Sequence, residues 1–203
     1  TELAPAIAGG NSIVISPSSN TSLSILEFIR LIEDILPKGL INLVTGKGSK
    51  TGEYLQHHKG FDKLAFTGST AIGRRIGISA AENLIPATLE LGGKSANIIF
   101  DDCNIDKALE GAQLGILFNQ GQVCSAGSRL FIQESIYDEF VEKLVKAFEN
   151  VKVGDPLDPE TQVGALRDKD RFPVLEEFIE KAKDGGGKVL TGGHPLTENG
   201  LDK

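Results

Sequence analysis

The pattern that most constrains this chain is a repeated alternation of short apolar segments, glycine-bearing turns and amphipathic segments. Three short apolar segments predict buried strands at 13–15, 41–44 and 63–66. Segments with apolar residues at helical spacing follow them, the first over 22–36 and the second ending near His58. Repetition of strand, turn and helix predicts an α/β fold, in which a parallel sheet carries helices on its faces.

The second half of the chain continues this alternation after a glycine pair. Strands are predicted at 88–91 and 96–100, and Gly92-Gly93 between them is the candidate domain boundary. Beyond it, the predicted helices are 105–118, 135–148 and 171–183, and the predicted strands are 130–132 and 188–190. Residues 119–128 are too polar and glycine-rich for a core element, so we expect a loop there. We therefore expect two domains, residues 1–92 and 93–203.

Composition and charge exclude several classes of protein. Forty per cent apolar residues, with 24 Gly and 8 Pro, fit a folded chain rather than a disordered one. A net charge of −7 repels nucleic acid and anionic membrane surfaces, and no apolar run reaches the roughly 20 residues of a membrane span. Two cysteines are too few for a disulfide framework and favour a reducing, cytoplasmic location. The three histidines lack metal-ligand spacing, so no metal site is predicted.

The chain contains no Met, not even at position 1. We therefore expect these 203 residues to be a piece of a longer protein. Separated from the rest, they should be inactive and unstable, because strand edges and apolar helix faces would be left exposed.

Two residues are candidates for catalysis. Small neighbours leave the Cys124 thiol accessible and let nearby N–H groups turn toward a bound atom, as a nucleophile with an oxyanion site requires. The alternative is a small buried hydrophobic side chain, which describes most free cysteines. Alternation along the strand places Glu90 on the face opposite Leu89 and Leu91. Glu90 is therefore either a general base beside a cleft or a solvated residue of an edge strand.

Two glycine-bearing turns each lie between a predicted strand and a predicted helix. The first contains Gly46, Gly48 and Gly52, and the second runs from Gly68 to Gly73. Amide groups at the start of a helix can bind a pyrophosphate. Ordinary tight turns explain each glycine singly, and the first turn departs by one residue from the usual dinucleotide spacing. Two such turns at successive strand ends favour a nucleotide cleft.

Taken together, these motifs resemble those of the aldehyde dehydrogenase superfamily. Residues 90–94 resemble the glutamate signature of that family. Residues 118–129 resemble its cysteine signature, with the nucleophile at Cys124. Residues 66–73 resemble its nicotinamide-side loop, and residues 42–48 its adenine-side turn. Because several motifs occur in the family's order, the resemblance is specific, and it extends over nearly the whole chain.

The resemblance implies a fold and an activity. The fold is a parallel Rossmann-like cofactor sheet over residues 1–92, followed by part of a second α/β catalytic domain over 93–203. The activity is oxidation of a small-molecule aldehyde to a carboxylic acid. The cofactor is NAD, with NADP as the alternative. The Cys124 thiolate would form a thiohemiacetal and then a thioester, which water activated by Glu90 hydrolyses. The full-length protein would be a homodimer or homotetramer.

The resemblance also implies which residues contact the cofactor. These are Ser16, Ser19, Gly48, Gly52, Phe66, Gly68, Ser69, Ile72 and Leu91. Ser16 and Ser19 depart from the family, which usually has a lysine and often a glutamate there for the adenosine ribose. We therefore expect weakened cofactor binding, with a slight preference for NAD⁺ over NADP⁺. The family's oxyanion-hole asparagine and its nicotinamide-ribose glutamate would lie outside residues 1–203.

Two other functions remain open. One is a catalytically silent binding protein of the same fold, whose affinity for the cofactor is weakened by the changes at Ser16 and Ser19. The presence of both Cys124 and Glu90 argues against it. The other is a thiol redox sensor that uses Cys124, although the predicted helix between them separates it from Cys103.

Overall fold

A computed structural model describes residues 2–197 of the chain. The helices are α1 Leu3–Ala8, α2 Leu23–Ile32, α3 Glu53–His57, α4 Thr70–Glu82, α5 Ile105–Leu117, α6 Tyr137–Glu149 and α7 Phe172–Asp184. The strands are β1 Ile13–Ile15, β2 Ile41–Leu43, β3 Leu64–Gly68, β4 Ala87–Leu91, β5 Ala96–Ile99 and β6 Arg129–Ile132. A π-helix covers Gly48–Gly52, and 3₁₀ turns cover Phe118–Gly121, Glu134–Ile136 and Lys169–Arg171.

The chain separates into two compact units between Leu91 and Gly92, beside the glycine pair. Which unit binds a cofactor and which carries catalysis stays a prediction. The strands form three parallel pairs, β1 with β2, β3 with β4 and β5 with β6. Helices alternating with parallel strands confirm the α/β fold class. Among the described residues the pairs are separate ladders, whereas the sequence predicted a continuous sheet.

In the first unit, helix α4 packs on the β3–β4 pair. A Cβ atom on Gly73 would overlap the Leu91 side chain, and one on Gly77 would lie 3.6 Å from the Leu89 Cδ1. Both leucines therefore face α4, which confirms the predicted alternation around Glu90. Ile76 on the same helix is also buried. This close packing fixes the position of α4 relative to the ends of both strands.

In the second unit, helices α5 and α6 pack with the β5–β6 pair around a small core. Phe140 of α6 is fully buried, and Ile99 and Ala112 are 8% and 6% exposed. Cys103 is half-buried and packs against this cluster. Asn104 caps α5, because its side-chain oxygen accepts a hydrogen bond from the Lys107 N–H at 3.0 Å. None of the helices in the described residues is long and apolar enough to cross a membrane.

Three details of the predicted organisation are wrong. The helix predicted over 22–36 ends at Ile32, and residues 33–35 form turns. The strand predicted at 188–190 is absent, because no described strand pairs with that short segment. Helix α1 was not predicted. It spans only 6 residues, and Pro5 lies in its first turn, where a missing N–H does no harm.

Candidate active site

Cys124 lies at the tip of an exposed turn between α5 and β6. The Ala126 N–H donates a hydrogen bond to the Val123 carbonyl at 3.1 Å and closes the turn. Ala126 is only 8% exposed, and the next N–H, that of Gly127, donates to the Gly115 carbonyl of α5 at 2.8 Å. The turn is therefore anchored to α5 while its thiol faces solvent.

Three consecutive left-handed residues lead from α5 into this turn. Asn119 has φ 49°, Gln120 φ 56° and Gly121 φ 71°. The left-handed region is unfavourable for most residues but accessible to Gly and, less so, Asn. The Asn119 side chain donates to the Gln122 carbonyl at 3.3 Å, and the Gln122 N–H donates to the Asn119 carbonyl at 3.0 Å. A Cβ on Gly121 would lie 3.0 Å from the Ile116 carbonyl oxygen, so glycine suits this position.

The backbone around Cys124 offers hydrogen-bond donors. Among the described residues, the N–H groups of Val123, Cys124 and Ser125 have no backbone acceptor. A Cβ on Gly93 would lie 3.4 Å from the Cys124 carbonyl oxygen, so the backbone of Gly93 passes close to the turn. Unpaired N–H groups beside a nucleophile are the donors that stabilise an oxyanion.

Glu90 is exposed on β4, directly opposite Thr67 of β3. Its side chain lies on the face opposite the helix-facing Leu89 and Leu91. Glu90 lies in the first unit, whereas Cys124 lies in the second. The role of Glu90 as a general base stays a prediction.

The ends of β3 and β4 and the start of α4 bring five predicted cofactor residues together. Gly68 is paired with Leu91 at these ends. Ser69 caps α4, because its hydroxyl accepts a hydrogen bond from the Ile72 N–H at 3.4 Å. Phe66 is half-buried two residues earlier, and a Cβ on Gly68 would overlap its ring. These contacts fix the residues that border the N-terminus of α4.

The N-terminus of α4 is suited to an anion. The N–H groups of Thr70 and Ala71 have no acceptor among the described residues, since the cap takes the Ile72 N–H. The helix is 13 residues long, so its dipole adds a partial positive charge at this end. The chemistry of this donor set fits a phosphate or pyrophosphate group.

Ser16 and Ser19 lie after β1, and both are exposed. The Ser19 hydroxyl donates to the Asn20 side-chain oxygen at 3.3 Å. Ile15 is paired in parallel with Leu43. Ser16 and the turn that follows β2 therefore begin at the same edge of the strand pair.

The turn after β2 becomes the π-helix Gly48–Gly52. The N–H groups of Lys50 and Thr51 both donate to the Lys47 carbonyl, at 2.9 and 2.8 Å. A Cβ on Gly46 would overlap the Thr51 side chain, whereas nothing lies within 4 Å of a Cβ built on Gly48 or Gly52. Open space therefore lies beside Gly48 and Gly52, two of the residues predicted to contact the cofactor.

A polar cluster between α3 and α4 was not found from the sequence. Ser79 of α4 is fully buried, and its hydroxyl lies 2.6 Å from the His57 Nδ1. The His57 Nε2 lies 3.4 Å from a carboxylate oxygen of Glu53, which also pairs with Arg75. The only indication of this cluster in the sequence is that Ser79 lies on the buried face of α4 beside Ala80. Its partner, His57, lies 22 residues away in the chain and could not be identified from that pattern. In residues 2–197 no three potential metal ligands form a cluster.

Comparisons with known proteins point to one family. The sequence model of the aldehyde dehydrogenase family matches residues 1–203. An aldehyde dehydrogenase of Vibrio cholerae serotype O1 is 46% identical over 200 residues, which cover 96% of this chain and 39% of that protein.

Solved structures agree in fold. PnpE in complex with nicotinamide adenine dinucleotide has a TM-score of 0.95 and 44% identity, over 99% of this chain and 42% of that one. A second structure, of PnpE from Pseudomonas sp. WBC-3, has a TM-score of 0.94 and the same identity and coverage. A betaine aldehyde dehydrogenase from Staphylococcus aureus in complex with NAD⁺ has a TM-score of 0.94 and 38% identity, over 99% of this chain and 40% of that one. The chain thus spans about two fifths of the length of these relatives.

Proposed function

Because this chain belongs to the aldehyde dehydrogenase family, we propose that the protein that contains it oxidises an aldehyde to a carboxylic acid with NAD⁺. The observation that carries this proposal is the exposed Cys124, held at the tip of an anchored turn. Its neighbouring N–H groups have no backbone acceptor among the described residues. A nucleophile and oxyanion donors are what addition to a carbonyl group requires.

In the first step, the Cys124 thiolate attacks the aldehyde carbon. A carbon–sulfur bond forms, and the electron pair of the carbonyl π bond moves to oxygen. The N–H groups of residues 123–125 are the candidates to stabilise the resulting oxyanion. A single such donor contributes about 10²–10³-fold to the rate in other enzymes.

Loss of a hydride from the carbon bonded to Cys124, for which a bound nicotinamide would supply the acceptor, leaves a thioester. In the last step, Glu90 takes a proton from water, and the resulting hydroxide attacks the thioester carbon. The carbon–sulfur bond breaks, the carboxylic acid leaves, and the Cys124 thiolate is regenerated. The exposed position of Glu90, opposite the helix-facing leucines, supports access of its carboxylate to water.

The described residues fit a dinucleotide. The N–H groups of Thr70 and Ala71, which have no acceptor within residues 2–197, would hold its pyrophosphate, with Gly68, Ser69 and Ile72 beside them. Leu91 and Phe66 would border the nicotinamide, which when bound supplies the hydride acceptor that no side chain can provide. The open space at Gly48 and Gly52 and the hydroxyls of Ser16 and Ser19 would receive the adenosine.

NAD⁺ is the proposed cofactor, and NADP⁺ is the alternative. Two similar proteins have been crystallised with NAD⁺, which supports the choice. Without an acidic side chain at Ser19, we expect little repulsion of a 2′-phosphate and modest discrimination. A small-molecule aldehyde substrate, a homo-oligomeric assembly and a cytoplasmic location are further proposals that rest on family membership.

Spectroscopy at 340 nm tests the proposal on the full-length protein, with a panel of aldehydes and with NAD⁺ and NADP⁺. We expect NADH formation, loss of turnover in Cys124→Ala, and accumulation of acyl-enzyme in Glu90→Gln. Cys103→Ala is the matched control and should keep most of its activity, because Cys103 only packs against the core. Near-normal turnover in Cys124→Ala would overturn the assignment, and an inactive wild-type protein would favour a catalytically silent binding protein.

The thiol redox sensor receives less support. Cys103, the second cysteine of the chain, packs against the core of the second unit. It is therefore poorly placed to act as a resolving thiol.

A further inference from the structure

The contact between Ser79 and His57 joins two helices that border opposite ends of the candidate cofactor site. We propose that this hydrogen bond is a positioning device, which holds the π-helix Gly48–Gly52 in place for the adenosine end of the cofactor. The inference rests on the proposed function, since it concerns the same candidate site. It assigns to Ser79 and His57 a role in cofactor affinity without contact to the cofactor.

The contact itself is well defined. The Ser79 hydroxyl is fully buried within α4 and lies 2.6 Å from the His57 Nδ1. A buried hydroxyl that loses its partner keeps the full cost of its removal from water, so the contact resists breaking. The successive contacts from Ser79 to His57 and from His57 to Glu53 resemble a hydrolase triad. No substrate can reach Ser79, however, because it is 0% exposed.

The surrounding groups orient the imidazole. Its Nε2 lies 3.2 Å from the Gln56 amide nitrogen and 3.4 Å from a Glu53 carboxylate oxygen. Glu53 also pairs with Arg75 of α4, which gives a second link between the helices. The side chains of that second pair are 54% and 40% exposed, so water screens it. In the first contact the Ser79 hydroxyl is fully buried, although the His57 side chain is 52% exposed, and the buried hydroxyl makes this contact the stronger tether.

Helix α3 depends on such a tether. It has 5 residues and no side-chain cap, and a helix this short does not persist in water without tertiary contacts. It follows Gly52 directly, so any shift of α3 also moves the π-helix. Helix α4, in contrast, is fixed by close packing of Gly73 against Leu91.

One helix therefore sets both ends of the candidate site. The N-terminus of α4 carries the Thr70 and Ala71 amides proposed for the pyrophosphate, and Ser79, in the second half of α4, holds α3 and the adenosine-side turn. Loss of the Ser79 hydroxyl should loosen the adenosine side while the pyrophosphate side stays in place. Cofactor affinity should then fall without a change in the chemical steps.

The test uses Ser79→Ala in the full-length protein, with Ser24→Ala, an exposed helical serine of the same unit, as the matched control. We expect the KM and Kd for NAD⁺ to rise about 3- to 10-fold, the size of one typical hydrogen bond, with kcat within about twofold. A general structural defect would instead lower the active fraction and hence kcat. Unchanged KM and Kd in an active enzyme would overturn the inference.

A second measurement does not depend on activity. Hydrogen exchange of the amides of residues 48–57 should be faster in Ser79→Ala, whereas that of α5 should be unchanged. Unchanged exchange at 48–57 would overturn the inference, whether or not the protein oxidises aldehydes. If exchange is faster but the protein does not oxidise aldehydes, the inference stands and only the proposed function fails.

A third arm tests the partner. His57→Leu should give the same loss of NAD⁺ affinity, and it supplies the result if Ser79→Ala folds poorly. His57→Asn, whose amide nitrogen can take the place of Nδ1, should recover part of the affinity. The double variant Ser79→Ala/His57→Leu should be no weaker than either single one. Fully additive losses would contradict a direct coupling of the two residues.

Discussion

The two glycine-bearing turns of the first unit both lie between a strand and a helix, but different contacts support them. The turn after β3 enters the 13-residue helix α4, which Ser69 caps and Gly73 seats against Leu91. The turn after β2 passes through the π-helix Gly48–Gly52 into the 5-residue helix α3, and neither has a side-chain cap. A strand–glycine–helix pattern therefore identifies a reversal of the chain, whereas the length and capping of the helix determine whether the turn supports itself.

The largest expected effect on stability comes from Gly73→Val, which disrupts the packing of the helix that follows the first of these turns. A side chain there overlaps Leu91, so we expect a loss of about 3 kcal/mol in the free energy of unfolding, at the upper end of overpacking costs. Thermal unfolding of the full-length protein measures it. Gly77→Ala is the control on the same helix, because a Cβ there lies 3.6 Å from Leu89 and replaces a poor helix former. Equal unfolding midpoints for Gly73→Val and wild type would contradict the close packing.

A smaller effect is expected in the second turn, from the pair Gly46→Ala and Gly48→Ala. A methyl group at Gly46 overlaps Thr51, so Gly46→Ala should cost about 1–2 kcal/mol of stability. A methyl group at Gly48 meets open space, so Gly48→Ala should leave stability unchanged and instead raise the Kd for NAD⁺. Thermal unfolding and calorimetry separate the two outcomes. Destabilisation by Gly48→Ala with unchanged NAD⁺ binding would show that the open space is not a ligand site.

The smallest loss of stability is expected from removal of the α4 cap. Ser69→Ala removes the acceptor for the Ile72 N–H and should cost about 1 kcal/mol. Ser69→Asp keeps a cap of similar strength but places a negative charge where the pyrophosphate is proposed to bind. It should therefore unfold like the wild type and bind NAD⁺ more weakly, with an effect that salt reduces. If Ser69→Asp binds NAD⁺ as tightly as the wild type, the anion lies elsewhere.

Local sequence patterns predicted the elements that depend on nearby residues. Alternation around Glu90 correctly placed Leu89 and Leu91 on the helix-facing side, because strand geometry enforces a period of two. The helix predicted over 105–118 matches α5, Ile105–Leu117, to within one residue. The strand at 13–15 agrees with the structure residue by residue.

Features that depend on distant contacts could not be predicted in this way. The hydrogen bond between Ser79 and His57 joins residues 22 positions apart, and no periodic pattern marks such a pair. The segment 188–190 has the composition of a strand but no described strand pairs with it. The left-handed φ of Gln120 could not be predicted from the sequence either, since glutamine rarely adopts it.

The three left-handed residues before the Cys124 turn have a consequence for how the chain tolerates changes in length. Helix α5 ends at Leu117, because Phe118 takes a non-helical ψ of 128°, and the left-handed residues follow at once. The number of helical residues before this break therefore sets the direction in which the chain leaves the helix toward the thiol. One residue added to α5 would turn the exit point by about 100° around the helix axis, since a helix has 3.6 residues per turn. Insertions and deletions should therefore be far rarer between Ile105 and Cys124 than in the connector around Leu157, which is 90% exposed.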